Sequence, residues 1–284
     1  MSRNSDSLAT RVVHAGLSPD PTYGSVIPAI HQTSTFRQHR VGEYVEDFDY
    51  ARSANPTRAA LERAIGDLEG GFGTVFSSGM AATHAVFTAT CSAGDHAVIP
   101  SDLYGGTFRL VDKVLANWGL NYTMVDQTDL DSLAAAVQYN TRLIWVETPT
   151  NPLLNVVDIS AVVSLARGAL VVVDNTFATP YVQNPLNFGV DIVWHSTTKY
   201  IGGHSDVIGG AVVADAVPGR GGARDDVGQE AQEAGALDRR GELALVVRAR
   251  AGQARRRDLA VLADEVAQRL RVGLNVYVFL EPIE

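Results

Sequence analysis

LVVVDNTFATP (170–180) and DIVWHSTTKYIGG (191–203) are the stretches from which the fold is read. Each opens on a short apolar run and ends on a polar, turn-forming segment. Runs so uniformly apolar, enriched in Val and Ile, suit strands buried on both faces rather than strands with one wet side. Working outward, similar runs recur as TVF (74–76), HAVIP (96–100), NYTMVD (121–126), RLIWVE (142–147) and the run around IGGAVVA (208–214). Helical patterns separate several of them. The spacing predicts an α/β domain with a mostly parallel sheet and flanking helices, in which ligands sit at the carboxyl ends of strands.

Before the first run, Asn55-Pro56-Thr57 opens a helix with Ala60, Leu61, Ala64, Ile65 and Leu68 on one stripe, and Gly70-Gly71 ends it. Residues 1–55 are polar and turn-rich with no long period, and read as an extended arm of the kind that embraces a neighbour. The chain of 284 residues carries 32 acids against 23 bases, a formal charge of −9, which argues against phosphate backbones and anionic membranes as principal partners. No apolar run approaches the length of a membrane span or of a secretory signal, so the expected location is cytoplasmic. Cys91 is the single cysteine, which excludes an intrachain disulfide and a cysteine-rich metal site; in an apolar helix end it reads as core.

Composition breaks near residue 216. Nineteen of the 21 aromatic residues precede that point, and the whole charge deficit lies there too. From Pro218 to Arg257 Gly, Ala, Arg and Asp dominate, until Leu259, Leu262, Val266 and Leu270 resume a helical stripe. The organisation expected is an arm (1–55), a cofactor-binding domain (56–216) and a divergent tail (217–284).

Chemistry gathers at the predicted strand ends. Ser77-Ser78-Gly79-Met80 leads into the helix MAATHAVFTAT, where backbone N–H groups at a helix start favour an anion, although any strand-to-helix turn can carry Ser and Gly. Asp174 ends an apolar run, where an unpaired charge is costly, so it either needs a cationic partner or caps the next turn. Lysine occurs only at 113 and 199, against 21 arginines. Lys113, beside Asp112 in FRLVDKVLANWG, reads as surface. Lys199 follows a buried strand in a Ser/Thr-rich turn, and its amine can do the imine chemistry that a guanidinium cannot. An anion cradle, an acid and a lysine at neighbouring strand ends meet the needs of pyridoxal 5′-phosphate. No G-x-G-x-x-G or Walker A sequence competes, and the seven histidines show no zinc spacing. His195 and His204, flanking the lysine turn, read as satisfied structural histidines that could also tune it.

From about Thr10 to Val213 the chain resembles the cysteine and methionine metabolism family of pyridoxal-phosphate enzymes, which includes cystathionine gamma-synthase, cystathionine gamma-lyase and O-acetylhomoserine sulfhydrylase. The motifs are YARSANPT (50–57), SSGMAA (77–82), YGGTF (104–108), ETPTNP (147–152), DNTFATP (174–180) and HSTTKYIGGHSD (195–206). The resemblance implies the aspartate-aminotransferase-type fold (fold type I) in a tetramer of two tight dimers. It implies Lys199 as Schiff-base lysine and general acid-base, Asp174 as partner of the pyridinium nitrogen and Tyr104 as the ring stacked on the cofactor. Ser77, Gly79, Met80, Ser196 and Thr198 would bind the phosphate, Tyr50 and Arg52 would reach the phosphate of the neighbouring subunit, Asn151 would meet the phenolic oxygen, and Glu147 would give structural support.

The implied reaction is γ-replacement or γ-elimination on homoserine-derived or cystathionine substrates, within sulfur amino acid metabolism. Gly106 stands where methionine gamma-lyases typically carry cysteine, which favours the cystathionine branch; synthase and lyase stay unseparated. After Val213 the family's C-terminal α/β domain is not recognisable, and the arginine that would grip the substrate carboxylate belongs there; Arg269, before LRVGLN (270–275), is a faint echo of it. A shifted reading frame, a truncated gene copy and a divergent cap compete to explain the tail. A catalytically impaired homologue is therefore the rival reading.

Overall fold

The computed structural model describes residues 7–46 and 48–214, with the backbone of 247–248 and 278–279. These residues fall into two units that divide after Leu68. The helical stripe of Leu259, Leu262, Val266 and Leu270, and Arg269, lie outside the described residues.

The first unit holds the arm and helix α2 (Pro56–Glu69), whose last residue opens the second unit. Asn55 Oδ1 accepts the Thr57 N–H at 2.9 Å and Pro56 supplies the first helical residue, as its missing N–H and fixed φ favour. The arm is not wholly extended. Ser7 caps a seven-residue helix, α1 (Leu8–His14), whose Arg11 donates to the carbonyls of Asp67 and Leu68 at the end of α2. Two turns of helix are too short to show a period. Gly16 follows at φ +68°, and any Cβ there would fall 2.2 Å from the Ala60 carbonyl oxygen, so the arm crosses α2 at backbone contact. Further on, His31 is tied to Thr57 and Asn55.

The second unit is a seven-stranded sheet: β1 (Phe72–Phe76), β2 (His96–Pro100), β3 (Asn121–Val125), β4 (Thr141–Glu147), β5 (Leu170–Asp174), β6 (Ile192–His195) and β7 (Gly210–Ala214), in the order β1-β7-β6-β5-β4-β2-β3. Every apolar run read as a strand is one. β3, β2, β4, β5 and β6 pair in parallel; β7 runs antiparallel between β6 and β1. The sheet is mostly parallel, as the alternation of apolar runs with helical patterns predicts.

Alternation along the central strands divides the core in two. Leu143, Trp145 and Val172 join one cluster with Phe87 of α3 (Gly79–Thr90), while Ile144, Val146, Val171 and Val173 join another with Leu133 of α6 (Leu130–Ala136) and Val162 of α7 (Ile159–Leu165). Both faces are therefore covered, which is why these strands read as continuous apolar runs. Phe87 stacks on Trp145 at 5.4 Å between centroids, and Trp194 meets Trp145 edge-on at 5.6 Å. Between β2 and β3, α4 (Gly105–Leu110) continues through a π-helical turn (Val111–Leu115) into α5 (Ala116–Trp118); Lys113 is exposed there on Asp112, 2.6 Å away. A short α8 (Thr179–Val182) follows β5. Apart from the sheet, β8 (Val247–Arg248) pairs in parallel with β9 (Val278–Phe279).

Candidate active site

Because β1, β2, β4, β5 and β6 share a direction and β7 opposes them, five strands end at one edge of the sheet where the sixth begins. That edge gathers Ser77–Met80, Tyr104, Glu147–Asn151, Asp174 and His195–Lys199. β3 and β4 leave β2 on opposite sides, the reversal of strand order at which open α/β sheets bind ligands.

Ser78 Oγ caps α3 by accepting the Ala81 N–H at 3.1 Å. The next residue, Gly79, is buried where a Cβ would lie 3.1 Å from the Trp194 ring and 3.2 Å from Ser196 Oγ, so the start of α3 abuts the end of β6. The turn after β6 is closed by bonds from Lys199 N to Ser196 O (3.2 Å), Gly202 N to Thr197 O (2.9 Å) and Gly203 N to Lys199 O (3.0 Å). Thr198 Oγ1 donates to Gly209 O (3.2 Å) and accepts from Gly209 N (3.1 Å), fastening the turn to the approach of β7. Lys199 itself is exposed.

Asp174 is 6 % exposed. Its Oδ1 accepts the Thr176 N–H (2.9 Å), and Thr176 Oγ1 in turn accepts the Ser196 N–H (2.9 Å), so two bonds connect the acid to the turn that bears Lys199. Across the sheet Asp174 is in register with Glu147. Glu147 clamps two loops: Oε2 accepts the Tyr104 N–H (2.9 Å) and Oε1 the Asn151 N–H (2.8 Å). Asp102 holds Thr150 and Asn155 alongside. Burial, then the charge of Asp174, pushes Glu147 well above the carboxylate range, against the pull of its two N–H donors. Burial likewise pushes Asp174 up, against hydrogen bonds from Thr176 and the charge of His195.

The Tyr104 ring, 41 % exposed, lies over Gly106: a Cβ there would come within 2.3 Å of Tyr104 Cε1 and 2.9 Å of Met80 Sδ. The fold thus brings Tyr104 and Met80 together, and Gly79 and Ser196 together. Tyr50 and Arg52 belong to the first unit, where the Arg52 guanidinium lies 4.9 Å from the Tyr50 ring centroid.

The Cys/Met metabolism PLP-dependent enzyme model matches residues 9–263. The chain belongs to this family. The match runs beyond Val213, where the motifs stop. Cystathionine gamma-synthase of Mycobacterium tuberculosis is 57 % identical over 210 residues, covering 73 % of this chain and 54 % of that protein. Cystathionine beta-lyase of Lactococcus lactis subsp. cremoris is 53 % identical over 212 residues, 74 % of this chain and 55 % of that one. The crystal structure of metB from Corynebacterium glutamicum superposes with a TM-score of 0.74 at 50 % identity, covering 75 % of this chain and 56 % of that one. The chain spans about half the length of the curated relatives it matches.

The family depends on pyridoxal phosphate, and the residues present fit that group. A single Cβ would fill the space at Gly79, as at a cradle kept open for an anion. Among the described residues Asp174 is a buried acid with no ion pair, and Lys199 is an amine with none. Cys91 is core, as expected, and burial pushes its thiol up to about 12. His195 departs from the expectation of a satisfied histidine: it is fully buried and bonded through Nε2 to Glu69, and its Nδ1 has no partner among the described residues. Glu69 escaped the sequence reading because nothing but its place at a helix end beside Gly70-Gly71 marks it.

Proposed function

We propose that this chain binds pyridoxal 5′-phosphate at the shared strand edge and performs γ-replacement on homoserine-derived substrates, as a cystathionine gamma-synthase-like enzyme. One observation carries the reading: Asp174, a buried acid with no ion pair among the described residues, is linked through Thr176 and Ser196 to the turn that presents Lys199. When bound, the cofactor supplies an electron-withdrawing ring that acidifies the α-hydrogen of an amino acid substrate. Asp174 would hold the ring nitrogen's positive charge, and Tyr104 would offer its face for stacking. Ser77, Gly79, Met80, Ser196 and Thr198 would hold the phosphate at the start of α3. Asn151, set by the Glu147 clamp, would donate to the phenolic oxygen. The Lys199 amine would take the proton from the α-carbon and return it, the role of a positioned general base and acid.

In this reading residues 56–216 form the cofactor domain, 1–55 the arm and 217–284 a divergent tail. The arm's Tyr50 and Arg52 serve a neighbouring copy in a dimer of dimers in the cytoplasm. Among the described residues no helix is long and apolar enough to cross a membrane. A lyase acting on cystathionine is the second reading, favoured by the identity to a cystathionine beta-lyase.

The test is to incubate the purified chain with pyridoxal phosphate, reduce with borohydride and map the pyridoxyl label. Lys199 is the expected site; a label on Lys113, or none, overturns the proposal. Offering a homoserine ester with cysteine, and separately cystathionine alone, then separates synthase from lyase by product. Turnover of neither leaves a cofactor-binding chain without this activity. Light scattering during size exclusion tests the tetramer.

A further inference from the structure

The arm turn that carries Tyr50 and Arg52 is built by a residue that this reading leaves unused. The Tyr50 carbonyl accepts the N–H groups of Ser53 (2.9 Å) and Ala54 (3.0 Å). The next three carbonyls all meet one guanidinium: Arg58 Nη1 donates to Ala51 O at 3.2 Å and to Arg52 O at 3.1 Å, and Arg58 Nη2 donates to Ser53 O. Four consecutive carbonyls are thereby satisfied, three of them by a single side chain. Arg58 Nε lies 3.4 Å from Glu62 Oε1, one turn further along α2. The helix itself does not explain an arginine at this place. Arg58 stands in the first turn of α2, where a cation opposes the helix dipole, and basic before acidic is the poorer order for an i,i+4 pair.

What the turn presents is Arg52. Its side chain is exposed, makes no ion pair among the described residues, and lies with its guanidinium 4.9 Å from the Tyr50 ring centroid. A guanidinium held against a ring face on a fixed turn is an ordered cation lacking an anion, and its planar fork suits a phosphate. The two arginines divide the work: Arg58 spends its donors on carbonyls and its charge on Glu62, while Arg52 keeps both. We propose that Arg58 is a positioning residue for cofactor binding, fixing the backbone of Arg52 and of its two neighbours so that Arg52 meets the pyridoxal phosphate held by a second copy of this chain. The inference rests on the reading, given above, that the arm serves a neighbouring copy.

The size of the effect follows from order. Without Arg58 the turn loses the donors of three carbonyls, and Arg52 has to be ordered at the moment of binding, so affinity for the phosphate drops without being abolished. Because Arg58 acts through Arg52, removing it matters only while Arg52 is there. Because the contact is to the phosphate, pyridoxal without a phosphate is indifferent to both arginines.

The experiment measures dissociation constants of pyridoxal phosphate and of pyridoxal on the full chain, unmodified and as Arg58→Ala, Arg52→Ala and the double variant. Arg58→Ala and Arg52→Ala should each weaken pyridoxal phosphate binding about tenfold, the worth of a charge-assisted contact, and the double variant should match Arg52→Ala within about twofold. Pyridoxal binding should stay within about twofold throughout. Arg58→Lys is the second variant: it keeps the charge beside Glu62 but brings one nitrogen to three carbonyls, and its affinity should fall between those of Arg58→Ala and the unmodified chain. Alanine and lysine are both good helix formers, so α2 tolerates either. Equal losses for pyridoxal and its phosphate, or losses that add in the double variant, overturn the inference and leave Arg58 a fold element. Full affinity in Arg58→Ala beside a weakened Arg52→Ala sinks the inference alone. Full affinity in Arg52→Ala, with Lys199 still labelled by borohydride, refutes the arm's reach to the cofactor and the inference with it, and an unlabelled Lys199 refutes the cofactor reading beneath both.

Discussion

Raising the pH from 6.5 to 8 should destabilise the cofactor-free chain, and Glu147 is the main reason. It lies buried in register with Asp174, and burial plus that neighbour's charge holds it at about 8 against 4.5 in an unfolded chain. Between those values the folded state keeps a proton that the unfolded state has released. Stability therefore falls as pH rises through the window, by at most roughly 1.4 kcal/mol per pH unit. The interval must be chosen with care. His96, buried between Thr141 and Thr123, is lowered by burial and adds stability with rising pH up to about 6.5, the ordinary histidine value. Cys91, raised to about 12, bears only on pH above the ordinary thiol range. From 6.5 to 8 Glu147 acts largely alone, and the loss should be about 2 kcal/mol. Urea denaturation at pH 6.5, 7.2 and 8.0 measures it. Glu147→Gln should flatten most of the slope while costing on the order of 1–3 kcal/mol, because one amide oxygen cannot serve the N–H groups of both Tyr104 and Asn151. A midpoint that stays level or rises over this interval in the unmodified chain would refute the reasoning.

Three further outcomes follow from the same geometry. Gly79→Ala should change stability by less than about 1 kcal/mol, since better helix propensity offsets a tight Cβ, yet weaken pyridoxal phosphate binding at least about tenfold by filling the space between Trp194 and Ser196; spectroscopic titration beside thermal denaturation reads both. Gly106→Ala should displace the Tyr104 ring by roughly 1–2 Å, the gap between the 2.3 Å approach and ordinary contact. Because that ring is half-exposed, the melting temperature should barely move while cofactor affinity drops. Trp145→Ala should cost about 3–5 kcal/mol, since the indole is fully buried against Phe87 and Trp194; a denaturation midpoint close to that of the unmodified chain would contradict the packing described.

Much of the sheet was legible because burial on both faces leaves a one-dimensional trace. LVVVD and RLIWVE are apolar at every central position, as the two core clusters require. α2 and α3 announced themselves by Asn55-Pro56 and by SSGM before a long apolar-faced stretch. α1 did not, since seven residues give no period and its anchor is one arginine on carbonyls 56 and 57 positions away. Lys199 and Asp174 were legible for a different reason. Each is a residue type out of place, a lysine in an arginine-using chain and an acid closing an apolar run. Glu69 and His195 are separated by 126 positions, and no local pattern encodes a contact of that span.

The arrangement of acids makes the site and the fold one electrostatic problem. Glu147 and Asp174 are drawn together by strand register rather than by attraction, and the charge of Asp174 adds to burial in keeping the proton on Glu147. Hydrogen bonds from Tyr104, Asn151 and Thr176 soften that conflict. A cationic ring held at Asp174 would offset the negative charge that helps raise Glu147, so Glu147 would hold its proton less tightly. Cofactor binding and relief of the buried pair are then the same event, so the pH dependence of stability should shrink when the cofactor is present, and a slope unchanged by saturating pyridoxal phosphate would mean that Asp174 does not meet the ring.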